Sequence, residues 1–205
     1  RAEPADIPLL IDSPVLEKLH PEMRKIAKII RRAVFTAQPI LLRHHADADG
    51  ICSAVAIEQA VVALINDSGG DFDTANYLFK RAPSKAPFYE IEDIVRDLDY
   101  ATRDNVRFGQ KMPLILLTDN GSTEEDLSAM RMARVYGIPV IVFDHHHPDE
   151  VVDQYLDAHV NPYKVGGDYG ITAGMLGAEI ARLIFPGVDQ QVRHIEAIAG
   201  VADRS

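Results

Sequence analysis

Short apolar runs alternate with amphipathic stretches along this chain. Four apolar runs predict β-strands at residues 39–43, 114–118, 138–143 and 156–160, and residues 74–79 predict a further strand. Apolar residues at helical spacing predict helices at residues 14–38, 53–66, 89–98, 172–185 and 191–202. This alternation predicts an α/β fold, a doubly wound, mainly parallel sheet flanked by helices. We expect the lead and helix of residues 1–38 to pack on a domain that spans residues 39–205.

Polar side chains crowd the positions where three of the predicted strands end. They are His44, His45, Asp47 and Asp49 after the first run, Asp119 after the run at 114–118, and Asp144, His145, His146, His147 and Asp149 after the run at 138–143. The carboxyl ends of parallel strands meet at one edge of a sheet, where ligands bind in such folds. Each residue alone has a simpler explanation, such as a helix cap for Asp119, a turn for Asp144 or a surface position for a histidine. Their convergence on one edge favours a functional site.

The residue types in these clusters predict a metal site. Aspartate oxygens and imidazole nitrogens, without cysteine thiolates, suit Mn²⁺ or Mg²⁺ better than a structural zinc ion. The clusters also offer more ligands than one ion needs if positions are to remain open for substrate. We therefore expect two ions, about 3.5–4 Å apart as in two-metal hydrolytic sites.

Composition adds limits to this picture. The chain has 205 residues, one cysteine and a formal net charge of −10, which argues against a strongly basic nucleic-acid surface. A lone Cys52 excludes a disulfide framework, and the first residues do not resemble a signal peptide. Without a long apolar run, we expect a cytoplasmic protein with no membrane contact. Because the chain starts at Arg1 and stops at Ser205, we also expect a fragment of a longer protein.

Three further features have ordinary alternatives. Cys52 has no evident base beside it, so a small buried residue explains it better than a nucleophile does. The helix N-terminus at Thr172 and Gly174, after a glycine-rich link, either binds a phosphate through its amides or is a simple cap. Residues 124–126, after a cap at Ser122 or Thr123, are interpreted as a solvated first helical turn.

Five segments in one order make the chain similar to a known family. They are HHADADGICS at 44–53, LTDNGS at 117–122, FDHHHPD at 143–149, VNP at 160–162 and GVADRS at 200–205. The chain thereby resembles the DHH phosphoesterase superfamily, and within it the RecJ-like single-strand exonucleases of the archaeal type. The resemblance implies a metal-dependent phosphodiester hydrolase that acts on single-stranded DNA or RNA, with a replication or repair protein as a possible partner.

The resemblance also implies roles for individual residues. Asp47 serves one ion, with His45 as an additional ligand, whereas Asp49, His145 and Asp203 serve the other. Asp119 bridges the two ions, and His146 contacts the scissile phosphate. We expect Asp144 to orient one of the two following histidines by a hydrogen bond, and His147 and Asp149 either to contact the ligands or to lie on the surface.

Two departures from the family pattern leave alternatives open. Arg43 stands where the pyrophosphatase and small-nucleotide branches carry a histidine, which favours the nuclease-like branch. Active members carry a carboxy-terminal DHH-associated domain that grips substrate, and we expect this domain to be absent from this chain. The alternatives are a phosphodiesterase for oligoribonucleotides, cyclic dinucleotides or pyrophosphate, a non-catalytic replication scaffold of the same superfamily, and a metal-binding regulatory module.

Overall fold

A five-stranded parallel sheet forms the centre of the molecule. The computed structural model describes residues 1–203, so the last two residues of the GVADRS segment lie outside the described chain. The strands are β1 (Ile40–His44), β2 (Phe79–Pro83), β3 (Leu114–Thr118), β4 (Val140–Phe143) and β5 (Ala158–Val160), in the order β2-β1-β3-β4-β5. Ile40 pairs with Phe79 on one side and with Leu114 on the other. The predicted α/β architecture with a parallel sheet is confirmed.

Helices cover both faces of this sheet. They are α1 (Pro14–Phe35), α2 (Ala48–Asp67), α3 (Phe72–Leu78), α4 (Ile91–Phe108), α5 (Leu127–Val135), α6 (Ala173–Ile184) and α7 (Asp189–Ala202). Leu114 and Leu116 of β3 belong to the apolar core beneath α1, α2, α6 and α7, whereas Ile115 and Leu117 belong to the core beneath α4 and α5. Since successive side chains of a strand point to opposite faces, the continuous apolar run of β3 fills both cores.

The region after α2 differs from its prediction. Residues 74–79 were expected to form a strand, but the chain forms α3 up to Leu78 and only then enters β2. Asp71 caps this helix by accepting a hydrogen bond from Thr74 N at 2.8 Å, and Ala75 and Leu78, three positions apart, bury the same face. The cap and this spacing outweigh the strand propensity of the segment.

Two other elements correct the sequence interpretation. The segment at 124–126 forms a 3₁₀ turn capped by Thr123, and Asp126 is buried rather than solvated because it accepts a hydrogen bond from Tyr89 N at 2.6 Å. Helix α2 begins at Ala48 instead of residue 53, because Asp47 accepts a hydrogen bond from Gly50 N at 2.9 Å and caps it. Asp49 therefore lies in the first turn of a helix.

Helix α2 is also long and apolar enough, by length and composition, to cross a membrane. Its most apolar window is 56% buried inside the domain, and Ala54, Ile57 and Val61 are fully buried in the core. These contacts are those of a central helix in a globular α/β domain.

Candidate metal centre

The candidate site lies where the order of the strands reverses. The chain passes from β1 outward to β2, then returns to β3 on the other side of β1. Ligands of such sheets bind in the crevice that this reversal opens at the carboxyl ends of the strands. The loops after β1, β3 and β4 bring His45, Asp47, Asp119 and His145 to this crevice.

Asp119 occupies the middle of the crevice in an unusual backbone conformation. Its φ angle is 58°, in the left-handed region, and its side chain is 1% exposed. Neither carboxylate oxygen has a hydrogen-bond partner among residues 1–203. Burial, together with the neighbouring charges of Asp144 and Asp49 and against the attraction of His145, raises the pKa of Asp119 to about 8. A buried carboxylate with two free oxygens fits a cation as its missing partner.

The first ligand group faces Oδ2 of Asp119. His45 Nδ1 lies 2.8 Å from Asp47 Oδ2 and 3.5 Å from Asp119 Oδ2, so one donor atom from each residue meets in a small space. Gly50 makes this approach possible. A Cβ atom at Gly50 would lie 2.4 Å from His45 O and 2.9 Å from Asp119 Oδ2, which is closer than any side chain allows.

The second ligand group faces Oδ1 of Asp119. His145 Nε2 lies 3.4 Å from Asp119 Oδ1, 3.6 Å from Asp49 Oδ2 and 3.8 Å from Asp203 Oδ2. His145 Nδ1 lies 3.2 Å from Tyr169 O, and donating to this carbonyl leaves Nε2 as the nitrogen with a free electron pair. Burial opposes the charged form of His145, but the contact with Asp119 and the charges of Asp49 and Asp144 raise its pKa to about 9.

Asp144 holds the loop that carries both histidines. It is fully buried, and its Oδ1 accepts from His145 N and pairs with His146 Nδ1, both at 2.8 Å. The hydrogen bond to Asp144 raises the pKa of His146 to about 8. Because Nδ1 of His146 is engaged, its Nε2 is the nitrogen available on a side chain that is 46% exposed.

The N-terminus of α6 binds the carboxylate of Asp49. The amides of Ala173 and Gly174 donate to the two oxygens of Asp49, each at 2.8 Å, and Thr172 is buried as the N-cap. The anion at this helix terminus is therefore a carboxylate of the chain itself. The amides of Ala173 and Gly174 are engaged by Asp49, and a phosphate at Thr172 and Gly174 stays a prediction.

The remaining predicted residues lie around the centre. His44 is buried, and its Nδ1 lies 2.6 Å from His45 O. The ring of His147 packs against the ring of Tyr163, with 5.1 Å between the ring centroids. Asp149 accepts a hydrogen bond from Glu124 N, which fixes a loop. Burial and the charges of Asp49 and Asp47 raise the pKa of the Cys52 thiol, which disfavours a reactive thiolate.

Arg43 points away from the centre, to the opposite face of the sheet. Its guanidinium donates to both oxygens of Asp97, with Nε 3.1 Å from Oδ2, and to Asp93 Oδ1 at 3.2 Å on α4. Alternation along β1 explains this placement, because Leu42 and His44 take the other face. Arg43 thus belongs to a buried ion pair rather than to the first ligand group.

Taken together, the residues present fit divalent cations, and Asp119 belongs to both groups of ligand atoms. Oδ2 of Asp119 faces one group and Oδ1 faces the other, and the donors are carboxylate oxygens and imidazole nitrogens without thiolates. The sequence interpretation gave Ser122 only a role as a helix cap and gave His159 and Asn161 no role. All three lie buried beside the DHH loop, residues 144–149. Asn161 stands in the VNP segment, and its place at the end of β5 was the available signal.

A model of the DHH family, N-terminal domain, matches residues 39–197. The chain belongs to the DHH family. The uncharacterized protein MJ1198 of Methanocaldococcus jannaschii is 54% identical over 212 residues, and the alignment covers 100% of this chain and 28% of that protein. The chain therefore spans less than a third of this curated relative.

Three solved structures have the same fold as this chain. The DHH domain of a protein described as a member of a ribosomal protein family is 46% identical with a TM-score of 0.97, and it aligns with 100% of this chain and 48% of its own. Exonuclease RecJ bound to manganese is 17% identical to this chain and superposes with a TM-score of 0.66. The alignment covers 89% of this chain and 43% of the RecJ chain. RecJ of Thermus thermophilus, in complex with Mn²⁺, is 18% identical to this chain and superposes with a TM-score of 0.62. The alignment covers 99% of this chain and 26% of the RecJ chain. The RecJ-like relationship in fold is confirmed.

Proposed function

We propose that this domain is the metal-dependent phosphoesterase part of a RecJ-like exonuclease for single-stranded nucleic acid. The position of Asp119 carries the proposal. This carboxylate is buried, lacks hydrogen-bond partners within the described part of the chain, and presents one oxygen to each of two groups of ligand atoms. A fold that needed only packing would not leave such a group uncompensated.

Two Mn²⁺ or Mg²⁺ ions are the proposed cofactors. His45 and Asp47 would hold one ion, and Asp49, His145 and Asp203 the other, with Asp119 shared. When bound, such a pair of ions lowers the pKa of a water molecule and stabilises charge on phosphate oxygens. The Mn²⁺ in the two RecJ structures supports this choice of ion.

The chain's own residues would supply orientation and a hydrogen-bond donor. Asp144 fixes the ring of His146 through Nδ1, which leaves Nε2 to donate to a phosphate oxygen when the ring is protonated. Asp144 thereby also favours the protonated ring. Ala173 and Gly174 keep Asp49 at the crevice, and the carbonyl of Tyr169 selects the tautomer of His145.

The location and partners belong to the same proposal. A chain with one free cysteine is typical of a reducing compartment, so we place the protein in the cytoplasm. The proposed substrate is single-stranded DNA or RNA, and the proposed partner is a replication or repair protein.

A substrate panel with Mn²⁺ tests the function. Single-stranded DNA, single-stranded RNA, short oligoribonucleotides, cyclic dinucleotides and pyrophosphate are compared, with the natural full-length protein and with this chain. Preferential digestion of single strands by the full-length protein supports the proposal. Turnover of the small substrates alone would move the protein to the small-nucleotide phosphodiesterases, and no turnover of any substrate would favour the non-catalytic scaffold.

Asp119→Ala is the decisive variant in this panel. We expect it to abolish cleavage, because both proposed ions lose their shared ligand. Asp67→Ala, at an exposed position near the end of α2, is the matched control and should retain the wild-type rate. Unchanged cleavage by Asp119→Ala would overturn the two-metal assignment.

A further inference from the structure

A chain of polar side chains runs from the surface at Asp153 to the buried Asn161 next to the DHH loop, and it contains none of the proposed metal ligands. Its members are Asp153, His159, Ser122 and Asn161, which come from the ends of β3 and β5 and from the 3₁₀ segment between β4 and β5. Ser122 and Asn161 are completely buried, and His159 is 8% exposed. Buried polar groups are costly unless each has a partner, so their hydrogen bonds define what the chain does.

The donor and the acceptor of each hydrogen bond can be assigned in order, starting from Asp153 at the surface. His159 Nδ1 lies 2.7 Å from Asp153 Oδ1, so the ring donates there and its Nε2 becomes an acceptor. Ser122 Oγ lies 3.1 Å from this Nε2 and donates its proton to it. The oxygen of the Ser122 hydroxyl can then only accept further hydrogen bonds, and Asn161 Nδ2 donates to it at 3.4 Å.

Asn161 connects this chain to His146. Its Nδ2 also donates to His146 O at 2.8 Å, and its Oδ1 accepts from Tyr163 N at 3.0 Å. Both amide protons and the amide oxygen are thus engaged, and the side chain has one orientation. The DHH loop is held at two further points, since Asp144 N donates to Val160 O at 3.0 Å and Asp149 N donates to Ser122 O at 2.8 Å.

We propose that Asn161, oriented by the Asp153–His159–Ser122 chain, is the positioning residue for His146. This inference rests on the proposed function, in which His146 contacts the scissile phosphate. Asp144 fixes the imidazole of His146 and Asn161 fixes its main chain, and a defined ring position requires both. Such supporting hydrogen bonds change activity by about 10- to 100-fold when they are removed.

Ser122→Ala is the primary test, because it removes one hydroxyl and adds no bulk. In the full-length protein with Mn²⁺, we expect kcat for single-stranded substrate to fall about 10- to 100-fold while KM changes less than about threefold. Mn²⁺ affinity, measured by titration calorimetry, should stay at the wild-type value because no proposed ligand is touched. Asn161→Ala should lower kcat at least as much, and Ser122→Ala keeps the test valid if Asn161→Ala does not fold.

The imidazole signals of the histidines give a readout that is independent of catalysis. In ¹H–¹⁵N spectra of the metal-free protein, Ser122→Ala should shift or broaden the His146 ring signals and leave those of His145 in place. Ser53→Ala is the matched control, since Ser53 is a buried serine whose hydroxyl lies 2.6 Å from Thr118 Oγ1 and has no link to His146. It should leave the His146 signals unchanged.

The outcomes separate this inference from the proposed function. If kcat and the His146 signals of Ser122→Ala both match the wild type, the positioning role is wrong. A loss of Mn²⁺ affinity, or equal shifts of the His145 and His146 signals, would likewise overturn it and indicate a general structural role. If the wild type cleaves no substrate, the proposed function fails, while the His146 signals still decide whether Asn161 positions this residue.

Discussion

At the scale of single residues, one side chain of the candidate site combines several features that each destabilise the fold. Asp119 combines a left-handed backbone, complete burial and two oxygens without partners in the described chain. A non-glycine residue in this conformation costs of order 1–3 kcal/mol, and neighbouring structure must compensate. Such combinations occur where function requires them, because stability alone selects against each one.

The pH dependence of stability follows from the same residue. Burial raises the pKa of Asp119 from 3.8 to about 8, so the metal-free folded chain binds more protons than the unfolded chain between these values. Its stability therefore falls as the pH rises through this range. The raised pKa of His145, at about 9, acts in the same direction, because its contribution is complete below pH 6.5 and is lost as the pH rises through 9.

Asp119→Asn should remove most of this dependence. We expect the metal-free variant to unfold roughly 10 °C higher than the metal-free wild type at pH 8, and the difference to shrink to a few degrees at pH 5. Calorimetric melting curves from pH 5 to 9 in a chelator check this. A wild-type melting temperature that rises from pH 5 to 8 would show that Asp119 is not protonated in the folded chain.

At the scale of elements, an ion pair joins β1 to α4. Arg43 is 5% exposed and pairs with Asp93 and Asp97, which are each 4% exposed, and Tyr89 donates its hydroxyl to Asp97 at 2.8 Å. Two buried carboxylates depend on one guanidinium here. Loss of Arg43 would leave both without their cation.

Arg43→Ala should therefore destabilise the fold far more than it affects the metal centre. We expect a loss of about 3–5 kcal/mol in the free energy of unfolding, measured by urea titration. Arg81→Ala is the matched control, because the Arg81–Glu58 pair is one-third exposed and contributes about 0–1 kcal/mol. Equal effects of the two substitutions would contradict the structural role of Arg43.

At the scale of the whole molecule, metal binding should stabilise four segments of the chain together. The proposed ligands come from the start of α2, the ends of β3 and β4, and the turn after α7. A ligand that binds only the folded state stabilises all the segments that it connects.

We expect each chain to bind two Mn²⁺ ions, with a melting temperature that rises on addition of Mn²⁺ and returns on chelation. At a free concentration 100 times the dissociation constant, one site contributes about 2.7 kcal/mol. Titration calorimetry and metal analysis of the dialysed protein give the stoichiometry, and Asp203→Ala, which removes a ligand of only one ion, should reduce it to one. A wild-type stoichiometry of one would contradict the shared position of Asp119.

The sequence predicted those parts of the molecule that depend on local pattern. Apolar runs located β1, β3, β4 and β5, and the topology of parallel sheets brought Asp119 and His145 to one edge. The sequence did not predict which side chains of distant segments form hydrogen bonds with each other. Asp49 meets Ala173 across 124 positions, and Ser122 meets Asn161 across 39, so no local signal distinguishes a phosphate-binding helix terminus from one that holds a carboxylate.

The hydrogen bonds from α6 to Asp49 have a consequence for the order in which the ions load. Asp49 accepts a backbone amide on each of its two oxygens, whereas Asp47 accepts one amide on Oδ1 and keeps Oδ2 free of backbone donors, so Asp49 has fewer electron pairs left for a cation. The two halves of the centre are thus unequal. The ion beside His45 and Asp47 should enter first and exchange slowly, whereas the ion beside His145 should exchange rapidly with the surrounding solution.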